Sequence, residues 1–161
     1  MTATLFPDLK PHHVGLSVDN LEESIAFWSE YFGFELEFRK HLEPIRTHLA
    51  FLRRGDFRME LFEKKGSAPA PQERLKPNTD LNTQGTKHVC FSVDDVQSVL
   101  ETLYEKGVPI TGVMRNMSKP MQFEDDPRIS QGSDRENANA FFCLAPSGIL
   151  VEILAASSFA V

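Results

Sequence analysis

The sequence predicts an α+β fold built from two copies of one β-α-β-β-β module. His13-Val14-Gly15-Leu16-Ser17-Val18-Asp19 returns seventy-five residues later as His88-Val89-Cys90-Phe91-Ser92-Val93-Asp94, with five of seven positions identical. The apolar positions Leu21, Ile25 and Trp28 return at the same offset as Val96, Leu100 and Leu103. Each half closes on an apolar run with one carboxylate inside it, Glu60 in Phe57–Phe62 and Glu152 in Ile149–Leu154. A long-period self-match dictates architecture, so it is read before any local pattern.

The elements follow in order. Residues 1–10 read as a lead-in without periodicity. Alternation predicts a strand at about His12 to Val18. Asn20 is placed to cap a helix, with Glu23 three residues on to complete a capping box. Leu21, Ile25, Trp28 and Phe32 recur at helical spacing, and Gly33 ends the run. Strands are expected at Phe34–His41, His48–Arg53 and Phe57–Glu63, with Pro44 and Arg54-Gly55-Asp56 as turns. Module one thus covers about 11–63. Residues 64–85, with Pro69, Pro71 and Pro77, read as a linker.

Module two, about 86–156, repeats the plan. In the pleat of its first strand His88, Cys90 and Ser92 share one face, and Val89, Phe91 and Val93 the other. A helix through Val96, Leu100 and Leu103 closes at Gly107, and a strand lies near Val113. Residues 115–138 lack a pattern and read as a lid, a binding loop or a disordered insertion. Ala140–Leu144 and Gly148–Leu154 form a closing hairpin. The two modules together make one domain over 1–161.

Composition excludes several classes. A formal net charge of -6 argues against a general nucleic-acid binder. The longest apolar runs are too short to span a membrane, and Met1–Lys10 lacks the pattern of a signal peptide. Two cysteines, Cys90 and Cys143, in a chain of 161 residues read as reduced thiols of a cytoplasmic protein.

A carboxylate inside an apolar strand is costly unless it is paired or bound to a metal. His13 with Glu60, and His88 with Glu152, give two His/Glu pairs from equivalent strands. Such a 2:2 set of imidazole and carboxylate suits one divalent transition metal: Zn, Ni, Fe, Mn or Co. Cys90 shares a face with His88; a small apolar filler is the favoured reading over a ligand or nucleophile. His12 points away from His13 and reads as a packing or rim residue. His48 sits on a strand of unfixed register, with a non-site role favoured. Arg58 shares a face with Glu60 and either holds a substrate carboxylate or pairs with a neighbouring acid.

The motifs His-Val-Gly-Leu-Ser-Val-Asp at 13–19, Met-Glu-Leu-Phe-Glu at 59–63, His-Val-Cys-Phe-Ser-Val-Asp at 88–94 and Pro-Ser-Gly-Ile-Leu-Val-Glu-Ile at 146–153 resemble the vicinal-oxygen-chelate superfamily. That superfamily includes glyoxalase I, fosfomycin-resistance proteins, methylmalonyl-CoA epimerase and extradiol dioxygenases. The resemblance implies paired modules whose sheets curl into an open barrel around a metal, with ligands at His13, Glu60, His88 and Glu152. Ala145 departs from the Asp that many members have before the Pro, at a turn. The activity implied is that of a metal-dependent lyase or isomerase of the glyoxalase I type. Its proton would move through Glu152, with Glu60 as second choice for the base. A fourth ligand favours this over an extradiol dioxygenase, which uses two His and one carboxylate. The resemblance also admits an epimerase acting beside a thioester, and a drug-binding protein that needs no metal. The expected partners are a small-molecule substrate and a second copy in a homodimer, with the site completed within one chain or across two.

Overall fold

The computed structural model describes residues 8–159. Of the expected lead-in, residues 1–7 lie outside the described residues. The chain divides into two units, Met1–Ser67 and Ala68–Val161, each carrying the β-α-β-β-β order that the repeat predicts.

In the first unit the order is β1 (His13–Val18), α1 (Leu21–Phe32), β2 (Glu35–Leu42), β3 (Thr47–Arg54) and β4 (Phe57–Glu63). Asn20 accepts a hydrogen bond from the Glu23 backbone N–H at 3.0 Å, as the capping reading requires. The Leu21 N–H, another unpaired donor of the first turn, is taken by the Glu63 carboxylate at 2.7 Å. Gly33 ends the helix at φ 64°, a conformation in which a side chain would be strained. The stripe Leu21, Ile25, Trp28 and Phe32 is buried, with Trp28 fully so. Each such side chain is worth about 1.5–3 kcal/mol of burial. The sheet order is β1-β4-β3-β2, with β1 and β4 parallel and the other pairs antiparallel. Ala50, Leu52, Met59 and Leu61 form its buried layer.

The second unit runs β5 (Val89–Val93), α2 (Val96–Glu105), β6 (Ile110–Met114), β7 (Ala140–Ala145) and β8 (Ile149–Ala155), in the sheet order β5-β8-β7-β6. Asp95 caps α2 by accepting from the Ser98 N–H at 3.0 Å. Leu100, Val113, Phe141, Val151 and Ile153 are buried. Residues 64–85, expected as linker, contain a 3-10 turn at Gln72–Leu75, and from Ala68 onward they cluster with the second unit. Gly112 on β6 lies against this segment and the loop beyond it. A Cβ there would collide with Met121 and come within 3.2 Å of Pro77.

Residues 115–138, expected as a lid, a binding loop or a disordered insertion, are an ordered segment held by hydrogen bonds. Arg115, 7% exposed, donates to both Glu124 carboxylate oxygens at 2.8 Å, to Gln97 Oε1 at 3.0 Å, and to the carbonyls of Pro127 and Glu136 at 2.9 and 2.7 Å. Glu101 on α2 accepts from the Ile129 N–H, and the Tyr104 hydroxyl donates to the Asp125 carbonyl. Gln122 bridges Val113 through paired backbone bonds of 2.8 Å. The loop lacks periodicity because a buried cation organises it, through partners distant in sequence. Among the described residues, no helix is long and apolar enough to cross a membrane.

Candidate metal centre

In the first unit, the parallel pairing of β1 with β4 sets Gly15 beside Glu60. His13 Nε2 lies 3.4 Å from Glu60 Oε2, the two side chains being 38% and 19% exposed. Phe51 stands opposite Glu60 on β3 and turns its ring edge-on to His13, centroids 5.4 Å apart. His12, expected to point away from His13, instead meets its ring edge-on, with their Nδ1 atoms 2.9 Å apart.

The second unit repeats this geometry. His88 immediately precedes β5, and its Nε2 lies 3.0 Å from Glu152 Oε2, with side chains 35% and 20% exposed. Phe142 stands opposite Glu152 on β7 and meets His88 edge-on, again at 5.4 Å. The residue beside the carboxylate is here Cys90, in register with Glu152. Burial, then the Glu152 charge and the hydrogen bond to it, push the Cys90 thiol up to about 12. A thiol so held is a poor nucleophile, and its Sγ lies 3.9 Å from the Phe91 carbonyl as a weak donor.

The donor chemistry fits a divalent ion. Two donors bound to one ion at about 2.0–2.2 Å sit about 3.0 Å apart in octahedral geometry and about 3.4 Å apart in tetrahedral geometry. The observed 3.0 and 3.4 Å separations are those of His–Glu ion pairs and also leave both donors of each pair within reach of one ion. Imidazole and carboxylate in equal numbers are the donors that Zn, Ni, Fe, Mn or Co accept. Among the described residues no third His, Cys, Asp or Glu joins either pair in a metal-holding group. Each unit therefore offers half of the expected donor set.

Of the other residues singled out in the sequence, Arg58 pairs with an acid. Its guanidinium donates to both oxygens of Glu37, at 2.8 and 3.1 Å, and these hydrogen bonds hold that carboxyl below its ordinary range. His48 falls on the same face as Glu63, its register partner, one residue out of phase with Glu60. Sequence reasoning missed Phe51 and Phe142. The signal that could have found them is register: each lies directly across the hairpin from the strand carboxylate.

The match to a family model spans residues 10–153 and carries the description Glyoxalase/Bleomycin resistance protein/Dioxygenase superfamily. The chain belongs to this superfamily. Among its relatives, glyoxalase I of Saccharomyces cerevisiae is 26% identical over 92% of this chain and 45% of its own length. The mitochondrial methylmalonyl-CoA epimerase of Bos taurus is 30% identical over 62% of this chain and 55% of its own. The chain thus spans about half the length of these two curated relatives. In fold it is similar to the trypanothione-dependent glyoxalase I of Leishmania major, with a TM-score of 0.63 and 19% identity over 92% of this chain and 87% of that one.

Proposed function

We propose that this glyoxalase-superfamily chain is a metal-dependent lyase or isomerase of the glyoxalase I type. The observation that carries the reading is the paired geometry: the same His/Glu couple, walled by the same aromatic, at equivalent places in both units. His13, Glu60, His88 and Glu152 together would hold one divalent ion, within one chain or across a homodimer. When bound, such an ion supplies Lewis-acid stabilisation of negative charge developing on a substrate oxygen.

The chain's own residues do the rest. A hemithioacetal substrate loses the proton on one carbon and regains it on the next, giving a thioester. Glu152 is the base in this reading, because only a modest base is needed beside a polarised carbonyl. Phe142 and Phe51 hold the two imidazoles in place edge-on and keep water from one side of each ring. The free thiols Cys90 and Cys143 accord with a cytoplasmic setting.

A second reading, epimerisation beside a thioester, rests on the 30% identity to the bovine epimerase and uses the same proton transfer. The test is turnover by the metal-reconstituted chain of the methylglyoxal–glutathione hemithioacetal and, separately, of methylmalonyl-CoA. Thioester formation from the first supports the glyoxalase reading; activity on the second alone replaces it with the epimerase. His88→Ala should lose the ion held with His13, Glu60 and Glu152, and its turnover, while keeping the wild-type circular dichroism. An unchanged metal stoichiometry in that variant would remove His88 from the site.

A further inference from the structure

The β2–β3 hairpin carries two histidines that the strand-end pairs do not use. His41 and His48 are direct cross-strand partners. Their ring centroids are 4.3 Å apart and their Nδ1 atoms 3.3 Å apart. Both are exposed and line an open cleft of about 390 Å³, together with Glu22, Arg39, Lys40 and Glu63. We propose that His41 and His48 form a second divalent-metal site, separate from His13, Glu60, His88 and Glu152. It would take Cu²⁺, Ni²⁺ or Zn²⁺, with water completing the coordination.

Two imidazole nitrogens facing each other this closely share either a proton or a cation. Zinc–imidazole bonds of about 2.0–2.1 Å place two nitrogens on one tetrahedral ion about 3.4 Å apart, close to the 3.3 Å observed. The strands hold that spacing already, so little ordering is needed on binding. The charges around the cleft also allow a cation. Arg39 is engaged by Glu22 in an ion pair. Glu63 spends one bond on the Leu21 N–H, and a carboxylate retains further acceptor capacity. It stands on β4 in register with His48 and would offset the charge of a bound ion. His41 Nε2, the nitrogen turned away from His48, lies 3.5 Å from Glu43, which orients the ring as partners of metal-bound imidazoles do. The order of affinity for such nitrogen donors, with copper first, follows the usual divalent series.

The experiment is calorimetric titration of the full chain with Ni²⁺ or Zn²⁺ alone, for wild type, His41→Gln, His48→Gln and His88→Ala. A binding event should persist in His88→Ala and weaken at least about tenfold in His41→Gln and in His48→Gln, since loss of an outer-shell partner alone costs about 10–100-fold. Isotherms of both glutamine variants matching wild type would overturn the site. The imidazole resonances of His41 and His48 should also shift on adding Zn²⁺ to His88→Ala. Resonances that stay fixed overturn it independently of how the variants fold.

Discussion

The first unit places Gly15 beside its strand carboxylate, whereas the second places Cys90. The backbone plan, the histidine and the facing phenylalanine are otherwise held in common. A Cβ on Gly15 would meet Phe62 at 3.3 Å, so the first unit has little room for a larger residue beside Glu60. In the second unit the place of Phe62 is taken by Leu154, and Cys90 fits. A further contrast lies between the third and fourth elements. Glu43–Arg46 suffice to join β2 to β3, while β6 and β7 are separated by the whole segment folded on Arg115. Two copies of one plan thus give their carboxylates different surroundings, and the two need not do the same work.

The sharpest way to break that comparison is to neutralise each carboxylate in turn. Glu152→Gln, at matched metal loading, should lose about 10²–10⁴-fold in exchange of the substrate's acidic C–H with deuterium. Glu60→Gln should weaken metal binding with far less effect on exchange per bound metal. Equal exchange in wild type and Glu152→Gln would remove Glu152 as the base, and loss only in Glu60→Gln would reverse the two roles.

Next in size is Arg115, which has no counterpart in the first unit. Arg115→Met leaves Glu124, whose side chain is 10% exposed, with only the more exposed Arg135 at 3.3 Å in place of its bidentate partner. Breaking a buried pair from one side costs about 3–5 kcal/mol. Urea unfolding should show that loss, and amide exchange should speed up in α2 and 115–138 while α1 is unchanged. Uniform acceleration through both units would show that they do not differ in this way.

Exchanging the residues beside the carboxylates is subtler. Gly15→Cys should cost about 1–3 kcal/mol through overpacking against Phe62, and adding Phe62→Leu should recover most of it. Cys90→Gly should cost about 0.5–1 kcal/mol and lower proton exchange less than tenfold. If Gly15→Cys proves neutral in unfolding experiments, the space beside Glu60 is not what separates the units.

The smallest effect belongs to Asp126 in the long segment. The Arg128 side chain, then its backbone N–H, hold the Asp126 carboxyl at about 2, below the ordinary 3.8. With the folded value depressed, its contribution is present above about pH 4 and disappears as pH falls through 2. Carbon-detected titration should find Asp126 ionised at pH 3, and Asp126→Asn should alter stability slightly at pH 5 and not at all below 2. A midpoint near 4 would detach it from Arg128.

Much of this was legible because the repeat is close. Asn20, Gly33 and the Leu21–Phe32 stripe act locally, so their roles read directly from spacing. The His/Glu pairs were legible through the self-match, since position within equivalent strands implies register. The Arg115 hub was not, because its partners Gln97, Glu124, Pro127 and Glu136 come from separate segments and no local pattern joins them. Phe51 and Phe142 were hidden for a related reason. In a strand full of apolar residues, only cross-strand register distinguishes a ring facing histidine from one in the core.

The 3-10 turn at Gln72–Leu75 has a consequence for where the molecule can be divided. Gly148, at φ 71°, packs so closely under it that a Cβ there would come within 2.6 Å of Leu75 and 3.2 Å of Ala70. The chain before the second histidine motif is therefore a strap over the β7–β8 turn, and Pro77 presses on Gly112 from the same segment. A second half beginning at residue 86 would be stripped of that strap and left with bare apolar patches. One beginning at Ala68 keeps it. The seam for exchanging, duplicating or splitting the modules as separately expressed fragments lies between Ser67 and Ala68, well upstream of the repeated motif that first suggests a boundary.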